Sequence, residues 1–266
     1  MRFFDFFAGI GGFRLGMEMA GHECVGHCEI DKYANTSYMA MHKPKETEVQ
    51  FGDIRTVDSR DMPECDIYCG GFPCQPFSIA GMHGGFEDTR GTLFFEIMRL
   101  AKERHPRFIF LENVRGLLNH EGGDTFETII TTMVDVGYDV EWQVLDSRSF
   151  TNQHRERLFI VGHLRGERTE QVFPIAVNES LSQGSNSKAF INTIVARYPG
   201  NLSGTYIDTG GDRIRSLTPR ECFRLQGFPD EYFERASQVC SERQLYKQAG
   251  NSVTVPVIYE IARRLK

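Results

Sequence analysis

Residues 4–13 read Phe-Asp-Phe-Phe-Ala-Gly-Ile-Gly-Gly-Phe, and this stretch decides the fold. Its apolar residues predict a short buried strand that ends at Phe7. The glycines Gly9, Gly11 and Gly12 predict a tight turn into a helix that begins near Phe13. Such a turn lets a ligand approach the backbone, and the helix N-terminus favours an anionic group. The spacing differs from the Gly-x-Gly-x-x-Gly of dinucleotide-binding proteins, so a ligand of another kind is indicated.

Strand and helix signals alternate along the first 165 residues. Such alternation predicts an α/β fold with a parallel sheet covered on both faces, which binds ligands at the carboxyl ends of its strands. Gly, Ser, Asn and Thr then dominate residues 166–213, which predicts a small, loop-rich second domain over residues 166–243. We expect residues 1–165 and 244–266 to form the main domain, with the apolar segment 253–265 as its last helix.

Composition is that of an ordinary soluble globular protein, with 40% hydrophobic and 25% charged residues. No apolar run reaches the roughly 20 residues that span a bilayer, and the net charge of −6 argues against a non-specific nucleic-acid coat. The N-terminus lacks the features of a signal peptide, and seven cysteines, an odd number, predict free thiols in a reducing cytosol. Cys24/Cys28 and Cys65/Cys69 lie in strand-like runs, so we expect buried thiols and no metal site.

Two acidic residues follow the next two predicted strands. Glu29 ends the second strand, where a carboxylate commonly accepts hydrogen bonds from the two ribose hydroxyls of a nucleoside. Asp53 ends the third strand and could accept a hydrogen bond from an adenine amino group. Together with the glycine turn, these positions predict a nucleoside cofactor that is bound without a pyrophosphate clamp.

The segment Gly71-Phe-Pro-Cys-Gln-Pro-Phe-Ser78 holds a thiol in a stiff loop. Its prolines fix their own φ and push the preceding residues into extended conformations, which excludes helix interior and central strand. Glu112 follows another apolar strand and is expected at the same edge of the sheet as Cys74. A thiol and a carboxylate together suit covalent catalysis on an electron-poor ring. Arg155 and Arg157, two positions apart, share one face of a predicted strand and suit a carbonyl, carboxylate or phosphate.

These motifs, taken in order, resemble those of the C5-cytosine-specific DNA methyltransferases. The resemblance covers nearly the whole chain. It is carried by Phe4–Phe13, Gly71-Phe-Pro-Cys-Gln-Pro-Phe-Ser78, Glu112-Asn-Val114, Gln153-His-Arg-Glu-Arg157, Leu217-Thr-Pro-Arg-Glu-Cys-Phe-Arg-Leu-Gln-Gly-Phe-Pro229 and Gly250-Asn-Ser-Val253. It implies a Rossmann-like S-adenosylmethionine-dependent methyltransferase domain and a small target-recognition domain.

The resemblance also implies roles for individual residues. Cys74 would add to C6 of the cytosine, Glu112 would hold N3 and the exocyclic amine, and Arg157 would contact the ring oxygen, with Arg155 supporting the same site. The base would be flipped out of duplex DNA, since C6 cannot be reached inside the helix. Gln75, Ser78 and Asn113 are implied as substrate-binding residues. The residues implied for S-adenosylmethionine are Phe7, Gly9, Ile10, Gly11, Gly12, Glu29, Ile30, Asp53, Ile54, Pro73, Asn251, Ser252 and Val253.

The family's recognition region lies between the Gln-x-Arg-x-Arg and Leu-Thr-Pro-Arg-Glu segments, and here only the 59 residues 158–216 separate them. Recognition is therefore minimal, or it depends on a partner. The implied setting is a cytoplasmic monomer that acts on double-stranded DNA, with a cognate restriction endonuclease as a partner that is not physically required. Three alternatives stay open at this point: methylation of cytosine in tRNA on the same scaffold, a non-catalytic or partner-dependent DNA-binding component, and a nicotinamide-dependent oxidoreductase, which the glycine spacing disfavours.

Overall fold

A seven-stranded sheet forms the centre of the protein in the computed structural model, which describes residues 1–73, 93–176, 191–199, 206–208 and 214–266. Its strands are β1 Arg2–Phe6, β2 Glu23–Cys28, β3 Val49–Phe51, β4 Ile67–Gly71, β5 Phe108–Val114, β6 Tyr138–Asp146 and β7 Glu156–Leu164, and a separate pair is formed by β8 Tyr206–Asp208 and β9 Ile214–Ser216. The α-helices are α1 Gly12–Met19, α2 Lys32–His42, α3 Leu93–Arg104, α4 Asp124–Val136, α5 Pro219–Leu225, α6 Asp230–Ser237, α7 Glu242–Asn251 and α8 Val255–Ala262. Within these ranges, none of the helices is long and apolar enough to cross a membrane.

The strand order is β3-β2-β1-β4-β5-β7-β6, and the sheet is mixed. Strands β1 to β5 pair in parallel, whereas β7 runs antiparallel to both of its neighbours, β5 and β6. The prediction of a parallel sheet is therefore wrong at β7, whose two pairings are antiparallel. The physical reason is the connection from β6 to β7, residues 147–155, which is shorter than the dozen or more residues that a parallel crossover needs.

Alternating side chains of the strands contribute to a hydrophobic layer on each face of the sheet. On β1, Phe4 and Phe6 face the layer that includes side chains of α3 and α4, while Phe3 faces the layer that contains α1 and α8. All three phenylalanines are fully buried. This period-two pattern is the reason that a strongly apolar segment such as 3–6 forms a central strand.

Strand β1 ends one residue before the predicted boundary because Phe7 has a φ of 52°. The left-handed region is costly for a side chain with a Cβ, and such strain occurs mainly at functional sites. Gly9 and Gly11 continue the turn with φ values of 56° and 78°. A Cβ on Gly11 would lie 2.1 Å from Nε2 of His42, so glycine is required there by both conformation and space.

Helices α5 and α6 pack directly against the main part of the molecule. Helix α5 starts with the capping box of Thr218 and Glu221 and has Pro219 at its first position. Its buried Phe223 shares a cluster with Ile10 of the glycine turn. Residues 217–243 are therefore joined to the cofactor side by a common core, and the boundaries at 166 and 243 stay a prediction.

Replacing Gly16 by alanine tests the close contact between α1 and α8. A Cβ at Gly16 would lie 2.7 Å from Cβ of Ile258 and 3.0 Å from the backbone nitrogen of Tyr259. Alanine favours a helix over glycine by about 1 kcal/mol, so a purely local effect would stabilise the protein. We expect instead a loss of about 1–3 kcal/mol in the free energy of unfolding, measured with urea, because the two helices are overpacked.

Met19→Ala is the matched control, since it alters an exposed side chain at the end of the same helix. Its free energy of unfolding should change by less than about 0.5 kcal/mol. A Gly16→Ala protein at least as stable as the wild type would contradict the packing described between α1 and α8.

Candidate active site

A cleft of about 450 Å³ opens at the carboxyl ends of β1, β2, β4 and β5. The topology places it where ligands bind in α/β sheets. Twelve of the residues predicted from the sequence line it: Phe7, Gly9, Ile10, Glu29, Ile30, Pro73, Glu112, Asn113, Arg155, Arg157, Asn251 and Ser252. The structure thus brings the glycine turn, the second-strand acid, the carboxylate of β5 and the arginine pair into one cavity.

Glu29 fixes the shape of the glycine turn. Its Oε2 accepts a hydrogen bond from the backbone N–H of Gly9 at 2.7 Å, and its Oε1 accepts one from the N–H of Asp31, also at 2.7 Å. Burial raises the pKa of Glu29 above its usual range, although both amides oppose this effect. Each carboxylate oxygen retains a lone pair toward the cleft, so Glu29 can accept further hydrogen bonds from a ligand.

Ile30 is the next residue and is 67% exposed at the rim of the cleft. An apolar side chain in that position offers a flat contact for an aromatic ring. Beside it, Asp31 caps α2 and forms an ion pair with Lys247, with Nζ 2.6 Å from Oδ2. Sequence reasoning missed both charged residues. Lys247 could have been found from its spacing, since it lies four residues, or one helical turn, before Asn251.

Four of the predicted cofactor residues lie behind the cleft instead of lining it. A Cβ on Gly12 would lie 2.7 Å from Oγ of Ser252, so Gly12 is a packing contact between α1 and the loop before α8. Gly11 packs against the ring of His42, and the side chains of Ile54 and Val253 are buried in the core. These residues support the wall of the cleft, and their predicted contact with a cofactor stays a prediction.

Asp53 also lies outside the cleft lining. Its carboxylate caps the short 3-10 helix Ile54–Thr56 and forms an ion pair with Arg55, whose Nη2 is 2.6 Å from Oδ2. That guanidinium holds the pKa of Asp53 below its usual range. An adenine amino group would therefore have to share the carboxylate with Arg55, and this predicted contact stays a prediction.

Glu112 and Arg157 form the charged centre of the other half of the cleft. Nε of Arg157 lies 2.9 Å from Oε1 of Glu112, and the glutamate is only 8% exposed. Burial raises the pKa of Glu112, against the opposing charges of Arg157 and Arg155. Gly71 makes room for this carboxylate, since a Cβ there would lie 2.9 Å from Oε2. The pair can accept and donate hydrogen bonds on one edge of a bound ring.

Asn113 is buried and directs its side chain to the backbone. Its Nδ2 donates to the carbonyl of Phe72 at 3.0 Å, and its Oδ1 accepts from the N–H of Val114. The predicted contact with substrate stays a prediction, whereas the observed contact holds Phe72 and thereby Pro73 at the wall of the cleft. The predicted nucleophile Cys74 is the residue after Pro73, and it lies outside the described residues, as do Gln75 and Ser78.

Arg155 differs from Arg157 in what it binds. Its guanidinium is 3% exposed and donates to the backbone carbonyls of Ile194, Gly250 and Ser252. Burial, with the charge of Arg157, lowers the pKa of Arg155 to about 9. Arg155 precedes β7 and lies at the back of the cleft, so the two arginines are not equivalent base contacts.

Of the two cysteine pairs predicted to be buried, Cys24, Cys28 and Cys69 are buried and Cys65 is half-buried. Burial raises the pKa of Cys24, Cys28 and Cys65 to about 12 and that of Cys69 well above its ordinary value. A thiol with such a pKa is inert at neutral pH. Among the residues that the structure describes, no group of three or more His, Cys, Asp or Glu side chains could hold a metal ion.

Solved structures share this fold over nearly the whole chain. A Dnmt2 methyltransferase from S. pombe matches with a TM-score of 0.76 and 21% identity, covering 98% of this chain and 97% of that one. A putative DNA modification methyltransferase encoded within an E. coli prophage matches with a TM-score of 0.65 and 19% identity, covering 99% and 97%. At these identities the likeness shows the fold, a methyltransferase-type α/β domain.

Sequence comparison gives the family. The type II methyltransferase M.NlaX of Neisseria lactamica is 40% identical over 305 residues, covering 98% of this chain and 95% of the relative. M.HhaI of Haemophilus parahaemolyticus is 35% identical, covering 98% and 93%. The model of the C-5 cytosine-specific DNA methylases matches residues 1–209 and 181–266. The chain therefore belongs to the C-5 cytosine-specific DNA methylase family, and it is a DNA (cytosine-5-)-methyltransferase.

Proposed function

We propose that this enzyme methylates C5 of a cytosine flipped out of duplex DNA, with S-adenosylmethionine as the methyl donor and Cys74 as the nucleophile. The observation that carries the proposal is the buried pair of Glu112 and Arg157, which shares one cleft with the glycine turn and Glu29. One half of the cleft offers charged hydrogen-bonding groups for a base edge. The other half offers a carboxylate and backbone for a nucleoside.

The cofactor half fits S-adenosylmethionine in its chemistry. Glu29 supplies acceptors for two ribose hydroxyls, the exposed Ile30 supplies an apolar face for adenine, and Phe7 and Gly9 bring the strained turn close to the ligand. When bound, this donor supplies a methyl carbon made electrophilic by a sulfonium. Asn251 and Ser252 close the cleft from the side of α8.

The base half accounts for the activation of a weak nucleophile. Addition of the Cys74 thiolate to C6 forms a C–S bond and makes an enamine of the ring, so that C5 can attack the methyl carbon. Burial raises the pKa of Glu112 and so favours its protonated form. Glu112 can then donate a hydrogen bond or a proton to N3, and it accepts a hydrogen bond from the exocyclic amine. Arg157 donates to the ring oxygen and stabilises the negative charge that develops there. Loss of the C5 proton and release of Cys74 then yield 5-methylcytosine.

A flipped base is required by the burial of Glu112. A carboxyl group that is 8% exposed at the floor of a cleft cannot reach an N3 atom inside a stacked duplex. Extrusion of the base costs a few kcal/mol, which contacts with Glu112 and Arg157 can offset. We further propose that the chain acts as a monomer in the cytoplasm, in a system that includes a restriction endonuclease, as the type II names of its relatives suggest.

The recognition region favours a second candidate for how the DNA sequence is read. The alignment with M.NlaX extends over 305 positions whereas this chain has 266 residues, so at least 39 of those positions have no residue here. The interval from 158 to 216, between the Gln-x-Arg-x-Arg and Leu-Thr-Pro-Arg-Glu segments, is the part of the chain that is short for this family. Fewer residues are left for contacts with base edges, so discrimination would be reduced, or a partner chain would supply it.

Cys74→Ser is expected to abolish methylation, because a hydroxyl is a far weaker nucleophile than a thiolate. Wild-type enzyme should form a covalent adduct with duplex DNA that contains 5-fluorocytosine, since fluorine at C5 blocks the loss of a proton that releases the thiol. Denaturing gels measure the adduct. Cys240→Ser, a change at a partly exposed thiol, is the control and should form it normally. Full methylation by Cys74→Ser, or wild-type transfer to tRNA alone, would contradict the proposal.

Glu112→Gln should lower kcat by about 10²–10⁴-fold, the usual contribution of a positioned acid or base, since the amide cannot protonate N3. Binding of S-adenosylhomocysteine, measured by calorimetry, should stay unchanged because Glu112 lies in the base half. Glu127→Gln, an exposed change on α4, serves as the control with wild-type kinetics. A Glu112→Gln enzyme with kcat within about threefold of wild type would exclude Glu112 as the acid.

The purified chain is expected to methylate plasmid DNA with weaker sequence discrimination than M.NlaX. Each base pair that is read contributes about 1–3 kcal/mol, so losing one such contact lowers discrimination by about tenfold or more. Bisulfite sequencing of plasmids treated with equal activities of the two enzymes measures methylation outside the preferred sites. Equal discrimination would show that the short region suffices. Cofactor binding without any methylation would favour a partner-dependent enzyme.

A further inference from the structure

Arg155 is a buried cation without a carboxylate in hydrogen-bonding distance among the described residues. Its Nη1 donates to the carbonyl of Ile194 at 2.9 Å, and its Nη2 donates to the carbonyls of Gly250 and Ser252 at 3.1 and 2.8 Å. Its Nε is buried and has no hydrogen-bond partner in the part of the chain that the structure describes. Burying a guanidinium is costly, and three backbone acceptors offset only part of that cost. An arginine at this position therefore needs an explanation other than stability.

Its acceptors lie on the two sides of Asn251. Residues 250–252, which we call the Asn251 loop, are the last two residues of α7 and the first residue of the connection to α8, and the side chain of Asn251 is exposed where the loop lines the cleft. Because Arg155 binds the carbonyls of Gly250 and Ser252, it fixes the peptide plane that joins Gly250 to Asn251 and the plane that follows Ser252. The planar fork of arginine suits such paired acceptors, whereas the ammonium of lysine does not.

Gln226 holds the same segment from the opposite side. Its side chain is fully buried: Nε2 donates to the carbonyl of Ala249 at 2.9 Å, and Oε1 accepts from Oγ1 of Thr254 at 3.1 Å. Thr254 in turn accepts a hydrogen bond from Oγ of Ser147. Gln226 thus binds the chain at residue 249, just before the Asn251 loop, and at residue 254, two residues after it.

The third contact of Arg155 links the loop to the segment 191–199. Ile194 supplies that carbonyl, and a Cβ on Gly250 would lie 2.3–2.5 Å from backbone atoms of Val195 and Ala196. The segment is fastened to the residues before β7, since His154 N–H donates to the carbonyl of Ile191. The residues before β7, the segment 191–199 and the Asn251 loop therefore meet around the guanidinium of Arg155.

We infer that Arg155 and Gln226 are positioning residues that hold the Asn251 loop in its donor-binding conformation, and that Arg155 does not act on the base. This inference rests on the proposed function, which makes the loop part of the donor site. Arg157 provides the contrast. Its guanidinium is directed to Glu112 in the cleft and does not bind the Asn251 loop. The two arginines of one motif thus serve different halves of the reaction.

Arg155→Lys and Arg157→Lys form a matched pair that tests this assignment. Lysine at 155 keeps the charge but cannot reach three carbonyls, and two lost hydrogen bonds correspond to about tenfold or more in affinity. We expect Arg155→Lys to weaken the calorimetric Kd for S-adenosylhomocysteine by at least that factor. The KM for the donor should rise in parallel, while kcat at saturating donor should fall by less than about threefold. Arg157→Lys should show the reverse: an unchanged Kd and a much lower kcat.

Thr254→Val covers the case that Arg155→Lys fails to fold, which a thermal melt would show. It is nearly isosteric and removes the hydrogen bond to Gln226, so it should weaken the Kd by about threefold to tenfold and leave kcat near the wild-type value. Donor affinity unchanged in the folded variants, or a deficit confined to kcat at saturating donor, would overturn the inference. Wild-type protein that binds no S-adenosylhomocysteine would contradict the proposed function itself, and the inference with it.

Discussion

The antiparallel direction of β7 is the constraint on which the site depends. In parallel pairing, the residues at the start of β7 would lie at the amino end of β5, on the far side of the sheet from the cleft. In the antiparallel register, Val114 pairs with Arg157, so residues that begin β7 lie at the carboxyl end of β5. The reversal places Arg157 beside Glu112, and it places Arg155 at the back of the cleft. A short connection between β6 and β7 therefore decides which charges lie in the cleft.

Local sequence patterns could predict the parts of the fold that depend on backbone conformation and periodicity. The run Phe-Asp-Phe-Phe-Ala-Gly-Ile-Gly-Gly-Phe specifies a strand, a turn and a helix by itself, since glycine supplies positive φ and alternate phenylalanines feed opposite faces. The strand that is predicted to end at Phe7 is present and ends one residue earlier. The position of Glu29 at the cleft could be predicted, because the carboxyl ends of parallel strands lie together at one edge of the sheet.

The hydrogen-bond or ion-pair partner of each polar side chain could not be predicted, because residue type does not determine it. Arg155 and Arg157 are identical side chains two positions apart, yet one binds three carbonyls and the other a carboxylate. Asp53 forms an ion pair with the neighbouring Arg55, and Asn113 donates a hydrogen bond to the backbone carbonyl of Phe72. Each side chain binds the segment that lies next to it in the folded structure. Which segments lie together depends mainly on strand direction. The direction of β7 was set by the length of the loop before it and not by the sequence of the strands.

The contacts of the Asn251 loop limit how short a recognition region can become. Ile194 lies inside the interval 158–216, and Gln226 lies beyond it, directly after α5. Both hold the Asn251 loop, directly or through Arg155, so the interval proposed for recognition also supports the wall of the cleft. Residues at these contacts cannot be removed without loosening the Asn251 loop. A chain that lacks at least 39 positions of the M.NlaX alignment can therefore keep its chemistry while giving up contacts to DNA, provided that both flanks remain in place.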